Sequence, residues 1–196
     1  TVKDDYIFNE PQLQEILNQG QGKSMILVTT HRRENIGEPM NQIYQALIKI
    51  LTEHEDAYVV FPVHKNPSVR KIVEEKLQGH PRIHLIEPLD YEPFVNLMAK
   101  AKIVLTDSGG IQEEAPSLGI PVLVVRDTTE RPEAVEAGTV ALVGTSYEEV
   151  YRGLKNLLSD REIYLQMAQA TNPYGDGKAA GRIAKTLCEF FDFSVE

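Results

Sequence analysis

The chain has 196 residues, of which 42% are hydrophobic, enough for one soluble domain that buries about 70% of its unfolded surface without metal or disulfide support. Its formal net charge of -9, from 20 Lys and Arg against 29 Asp and Glu, excludes a general nucleic-acid or acidic-membrane partner, since both need clustered cations. One cysteine, Cys188, excludes an internal disulfide framework and reads as buried filler in a reducing compartment. No apolar run approaches the roughly 20 residues of a membrane span, and the N-terminal stretch lacks a signal peptide's basic-then-apolar order, so the expected location is cytoplasmic.

Residues 1–22 read as a polar lead-in, and residues 23–196 as one domain. Met25 to Val28 forms the first buried strand, and Met40, Ile43, Leu47, Ile50 and Leu51 then recur at helical spacing. Tyr58 to Phe61 is the second strand. Asn66 and Pro67 supply an N-cap and a first-turn proline for a helix through Leu77. Ile83 to Ile86 is the third strand, Glu92 to Lys100 a helix, and Ile103 to Leu105 the fourth strand. Val122 to Val125 and Val140 to Val143 complete the strands. Ser146 with Glu149, and Ser159 with Glu162, read as capping boxes that begin two late helices, and a last helix runs from Ala179 to Phe190. Alternation of near-continuous apolar strands with helices implies an α/β fold, a doubly wound, Rossmann-like parallel sheet.

In such a sheet ligands bind beyond the carboxyl ends of the strands, where the strand order reverses. Five successive strand ends carry polar clusters: HRREN (31–35), VHKNP (63–67), EPLDYEPF (87–94), DSGG (107–110) and RDTTERPE (126–133). The fourth is the most informative. Ser108, Gly109 and Gly110 break the strand before a helix from Ile111 to Leu118, whose free amides and positive dipole end attract a polyphosphate. The two glycines are expected to adopt positive φ and admit an anion closely, and the Ser108 hydroxyl adds a donor. Glu114, one turn beyond Gly110, is placed to accept from ribose hydroxyls, and Arg131 can grip an anionic ligand bidentately. A Ser-Gly-Gly turn by itself is equally a plain turn; the ordered strand, loop, helix, strand and charged loop is more specific.

HRREN, PVHKNP, TDSGGIQEEAPSLGIPVLVVRDTTERPEA and NPYGDG, in this order, resemble the non-hydrolysing UDP-N-acetylglucosamine 2-epimerases. The resemblance implies interconversion of UDP-GlcNAc and UDP-ManNAc through elimination and re-addition of UDP, with no metal or nicotinamide cofactor. It implies that Ser108, Gly109 and Gly110 hold the diphosphate, Glu114 the ribose, and Arg131 the anionic part of the ligand. Phe94 by its own pattern is a core aromatic of the following helix; the resemblance instead makes it a wall of the uracil pocket, in the loop after the third strand, with the Leu89 backbone at the polar edge. His31 matches the active-site histidine beside the diphosphate, where an imidazole can donate to departing phosphate and move a proton. Arg32 and His64 match positions that contact a second, activating UDP-GlcNAc.

Other residues read more plainly. Arg33 and Glu34 suit a structural ion pair, while His54, His80 and His84 fall in helix-end or connecting positions as solvated side chains. Met98 and Tyr44 suit helix-face packing. Glu113, Asp127, Glu130 and Glu133 read as loop or helix-start carboxylates.

No Asp or Glu pair here has a spacing that demands acid and base work on opposite faces of the sugar C2. The family carries its proton-transfer carboxylates on a preceding Rossmann-like domain. The chain is therefore expected to be the C-terminal half of a GT-B type architecture, inactive without the N-terminal domain, and the family's usual state implies a homodimer. The expected ligands are UDP and a UDP-N-acetylhexosamine, with no nucleic acid and no membrane. Three readings stay open beside it: the donor-binding half of a GT-B glycosyltransferase, a nonenzymatic nucleotide-sugar-binding module, and a hydrolysing relative releasing UDP and free ManNAc.

Overall fold

The strands line up as one six-stranded sheet, all parallel, in the order β3-β2-β1-β4-β5-β6, in a computed structural model that describes residues 2–3, 5–175 and 177–191. The elements follow in chain order: α1 (Pro11–Gln19), β1 (Ser24–Thr29), α2 (Glu38–Glu53), β2 (Ala57–Pro62), α3 (Pro67–Leu77), β3 (Ile83–Ile86), α4 (Tyr91–Met98), β4 (Ile103–Thr106), α5 (Gly109–Glu114), β5 (Val122–Val124), α6 (Pro132–Glu136), β6 (Val140–Leu142), α7 (Tyr147–Ser159), α8 (Arg161–Ala168) and α9 (Ala179–Phe190).

Alternate residues of each strand feed two separate cores, which is why the strands are apolar throughout. Ile26, Val28, Val59, Phe61 and Leu105 face α2, α3 and α7, whereas Met25, Leu27, Val60, Val104 and Val122 face α1, α4 and α5. Helix α2 is the anchor of the first layer, with Met40, Ile43, Tyr44, Ala46, Leu47, Ile50 and Leu51 all buried at helical spacing. Met98 and Tyr44 are fully buried, as their helix-face pattern suggests, and the Tyr44 hydroxyl lies 2.9 Å from that of Thr30 at the end of β1. Asn66 caps α3 by accepting from the Ser68 N–H at 3.0 Å, and Ser146 caps α7 by accepting from the Glu149 N–H.

Several local expectations change. The lead-in contains α1, whose Leu13 and Ile16 join Phe8 in the second core. The cap of α8 is Asp160, which accepts from the Glu162 and Ile163 N–H groups, while Ser159 is the last residue of α7; a carboxylate one position nearer the helix suits its dipole better. The helix expected from Ile111 to Leu118 starts earlier and is split: α5 yields to a tighter 3-10 turn over Ala115–Leu118, because Pro116 has no N–H to continue the ladder. His84 is no connector residue. It sits in β3, half-buried and edge-on to the Tyr58 ring at 6.1 Å. Cys188 is half-exposed rather than core filler, since α9 buries none of its described side chains. Asp176 of NPYGDG lies outside the described residues.

Candidate functional site

Strand order reverses between β1 and β4: from β1 the chain steps outward to β2 and β3, and from β4 it steps the other way to β5 and β6. These two central strands end in register, Thr29 beside Thr106, with their hydroxyls 2.7 Å apart. The Thr106 oxygen also accepts from the Ser108 N–H at 2.9 Å, which turns the chain toward α5. Two polar loops, HRREN and DSGG, are thereby set side by side at the fold's crevice.

Asp107 ties the loops together. Its side chain is fully buried and accepts from the His31 N–H at 2.9 Å, the Arg32 N–H at 2.9 Å and Asn35 Nδ2 at 3.1 Å, while His31 Nδ1 lies 3.0 Å from its other oxygen. Burial opposes ionisation of this carboxyl, but the His31 hydrogen bond and the Arg32 and His31 backbone donors outweigh it and hold the carboxyl below its usual range. Arg32 adds a bond from Nε to the Asp107 carbonyl at 3.1 Å. The sequence pattern alone gives Asp107 no role beyond its place in the DSGG loop. The signal for it is positional: an Asp directly after one central strand and a His two residues after the other meet only when those strands are neighbours.

A cavity of about 190 Å³ opens beside this pair, lined by His31, His64, Leu89, Phe94, Ser108 and Ile111 among others. Residues from four strand ends thus meet around one space. The rings of His31 and His64 are stacked there, 5.2 Å between centroids and 21° between planes. Phe94 lies in the first turn of α4 rather than in a loop, half-buried, so it serves the second core and the cavity wall at once. A larger concavity of about 470 Å³ lies against the edge strand β3, but its Arg70 is held bidentately by Glu87 at 2.9 and 2.6 Å, which leaves no open cation there.

Gly109 and Gly110 are the first two residues of α5 and do not adopt the positive φ expected of them. Their own packing does not call for glycine either. A Cβ on Gly110 would meet nothing within 4 Å, and one on Gly109 only the Arg32 guanidinium at 4.0 Å. The Ser108 side chain makes no capping bond to α5. Glu114, at the other end of α5, is half-buried, and burial followed by repulsion from Glu113 raises its carboxyl above the ordinary value.

Arg131 is engaged within the chain. Its Nε donates to Glu113, and its guanidinium also reaches the Glu130 carbonyl at 3.1 Å. A relay fixes its loop against α5: Gln112 donates to the Ser108 carbonyl at 3.1 Å and accepts from Thr129 at 2.6 Å, and Thr129 accepts from the Arg131 N–H at 3.1 Å. The expected Arg33–Glu34 pair is replaced. Glu34 reaches Arg126 Nε at 3.1 Å, and Arg126, largely buried, holds Glu130 through two bonds of 2.6 and 3.0 Å. Arg33 is exposed. Those bonds, the Arg126 hydrogen bond foremost, depress the Glu130 carboxyl to about 2. Arg32 lies 3.7 Å from the same carboxylate, so both positions expected to bind a second ligand, Arg32 and His64, adjoin His31 directly.

The family model described as UDP-N-acetylglucosamine 2-epimerase matches residues 1–188. A UDP-N-acetylglucosamine 2-epimerase of Bacillus subtilis (strain 168) is 52% identical over 196 residues, covering 100% of this chain and 50% of the relative. Among solved structures, the S. aureus MnaA-UDP co-structure superposes with a TM-score of 0.90 at 47% identity, covering 100% of this chain and 52% of that one. The UDP-GlcNAc 2-epimerase of Neisseria meningitidis bound to UDP-GlcNAc gives a TM-score of 0.81 at 45% identity, with 91% and 50% covered. The chain spans about half the length of the relatives it matches.

Proposed function

The chain belongs to the UDP-N-acetylglucosamine 2-epimerase family, and from that membership we propose that it is the nucleotide-binding, C-terminal half of a GT-B type enzyme interconverting UDP-GlcNAc and UDP-ManNAc. The observation that supports this best is the cavity that gathers His31, Leu89, Phe94 and Ser108 at the strand reversal. In the proposal the diphosphate lies at the start of α5, against the backbone of Ser108, Gly109 and Gly110, where free amides and the absence of Cβ atoms favour an anion. Glu114 accepts from the ribose hydroxyls; its carboxylate is partly desolvated, so two donors there recover what burial costs. Leu89 and Phe94 flank the uracil. Arg131 turns from Glu113 toward the phosphates, and His31 stands beside the leaving oxygen.

The chemistry divides between halves. Removal of the C2 proton leaves an electron pair that forms the C1=C2 bond as the C1–O bond breaks, and UDP departs with the bonding pair. Re-addition of UDP to C1 and of a proton to the other face of C2 completes inversion. The groups described here hold and neutralise the departing diphosphate; the opposed acid and base at C2 are assigned to a preceding domain. Binding a ligand equally well in both states does not lower that barrier, so this half alone binds without turning over. Arg32 and His64 are proposed to take a second UDP-GlcNAc that activates the enzyme through their contacts with the His31 loop. A lone half-exposed cysteine fits a reducing, cytoplasmic setting.

An NMR titration with UDP tests the site. The amides of His31, Leu89, Ser108, Gly109, Gly110 and Glu114 should shift, and shifts confined to the β3-edge concavity would overturn it. Incubated with UDP-GlcNAc in heavy water, the 196-residue chain should place no deuterium at C2, and a full-length protein containing it should. Exchange by this chain alone would move the acid and base into it, and transfer of the sugar to an acceptor without inversion would replace the epimerase reading with a glycosyltransferase.

A further inference from the structure

A neutral His31 can carry its proton on either ring nitrogen, and the hydrogen bonds around Asp107 decide which. The carboxylate faces the His31 N–H, the Arg32 N–H and Asn35 Nδ2, all obligatory donors. All three bond Oδ2, and although burial opposes ionisation, these donors and the His31 contact hold the carboxyl below its usual range, so near neutrality it is ionised and acceptor-only. His31 Nδ1, 3.0 Å from Asp107 Oδ1, must then be a donor. We propose that Asp107 is a positioning residue that selects the Nδ1–H tautomer of His31, leaving Nε2 as a lone pair when the ring is neutral and as a donor only when the ring is a cation.

The groups facing the ring agree with this assignment. Asp107 lies on one nitrogen, Arg32 follows on the same loop, and the His64 ring stacks from the loop after β2. His31 Nε2 has no hydrogen-bond partner among the described residues, and His31 lines the cavity. The consequence for catalysis rests on the nucleotide-binding proposal: His31 can donate to a departing diphosphate only after taking a proton onto Nε2, and Asp107, already ionised, balances the resulting cation. The tautomer itself does not depend on that proposal.

The structure also supplies internal references. His64 Nδ1 accepts from the Asn66 N–H at 3.1 Å, and His80 Nδ1 accepts from the Arg82 N–H at 3.2 Å, so both neutral rings must carry the proton on Nε2. Two stacked imidazoles are therefore expected in opposite tautomers.

Long-range ¹H–¹⁵N correlation spectra of the histidine-labelled chain, recorded about two pH units above the usual imidazole value of about 6.5, distinguish the two forms. His31, assigned by its loss in His31→Asn, should show the Nδ1–H pattern, while His64 and His80 show Nε2–H. An Nε2–H pattern for His31 overturns the proposal with no substitution in Asp107 at all. Asp107→Asn supplies the second reading. Three donors converge on the Oδ2 position, so the new amide oxygen must stay there and its NH₂ must face Nδ1, which has to become an acceptor. The major tautomer of His31 should reverse to Nε2–H, with His64 and His80 unchanged. A folded variant that keeps Nδ1–H at His31 overturns the proposal, because a merely structural Asp107 would leave the tautomer alone. Adding UDP to the wild-type sample separates the two ideas: no response at His31 counts against the nucleotide site while leaving the tautomer assignment standing, and an Nε2–H ring that responds to UDP does the reverse.

Discussion

The guanidinium of Arg131 donates through Nε to the carboxylate of Glu113, fastening the loop after β5 to the side of α5. An arginine proposed to grip phosphate is therefore already neutralised by an anion of its own chain, and a ligand must compete for it. Glu113→Gln removes the competing charge but keeps the amide oxygen as an acceptor. UDP should bind about two- to fivefold more tightly to that variant, a modest gain because the pair is about one-third exposed and water screens it. Arg131→Ala should weaken UDP at least about tenfold. Calorimetry at fixed salt reads both. Weaker binding to Glu113→Gln would show that Glu113 positions Arg131 for the ligand and does not compete with it.

The same pair shows what was legible beforehand. Arg131 and Glu113 were each visible in the sequence, but their contact depends on the relay through Gln112 and Thr129, which a linear pattern does not display. The strands were legible because both faces of each are buried, leaving uninterrupted apolar runs such as Met25 to Val28. Helix α1 was not, since only Leu13 and Ile16 of its nine residues are buried among Gln, Asn and Glu, and its stability comes from packing on the sheet. Asp107 escaped for a different reason: its partner His31 is 76 positions away, and only the β1–β4 pairing brings them together. Ser108 and Phe94 were found through motif and resemblance, and the fold sets both on one cavity.

Asp107 should leave a signature in acid stability. Its carboxyl is lowered from 3.8, because hydrogen bonds from His31 and Arg32 overcome the burial that would raise it. A depressed folded value means that the unfolded chain takes up the proton first as pH falls. The stabilisation is therefore complete above about pH 3.8 and is lost as pH drops through the folded value. Urea midpoints should place wild type about 1–3 kcal/mol above Asp107→Asn near neutrality. That gap should narrow below about pH 4. A gap independent of pH would mean that the ionised carboxylate is not what holds the loops.

Tyr44 and Thr30 make a test of the core beneath the site. Their hydroxyls lie 2.9 Å apart in full burial, and burial drives the Tyr44 phenol upward, so it stays neutral throughout the working range. Tyr44→Phe should cost about 0.5–1.5 kcal/mol, the net worth of one hydrogen bond, with the Thr30 hydroxyl left to find another partner. Thermal unfolding reads the loss. UDP affinity should change less than stability, because the Tyr44 ring packs in the first core and only its hydroxyl reaches Thr30 at the cavity wall.

Gly110 separates folding from binding most cleanly. It is the second residue of α5, its φ is not positive, and a Cβ built on it meets no atom of the chain within 4 Å. Neither conformation nor packing opposes alanine, which favours a helix interior over glycine by about 1 kcal/mol and somewhat less near an end. Gly110→Ala should therefore unfold at the same temperature as wild type or slightly higher. Gly181→Ala, in the first turn of α9 as Gly110 is in that of α5 and likewise with open space around its Cβ, is the matched control and should gain about as much. The two variants part company on ligand. A methyl group at residue 110 occupies the approach proposed for the diphosphate and keeps its oxygens from the α5 amides, so UDP affinity should fall at least about tenfold, or about 1.4 kcal/mol. Gly181→Ala should bind UDP as wild type does. Because stability and affinity are expected to move in opposite directions at residue 110, a loss of binding there cannot be ascribed to unfolding, and unchanged affinity in a folded Gly110→Ala chain would remove the start of α5 from the phosphate site.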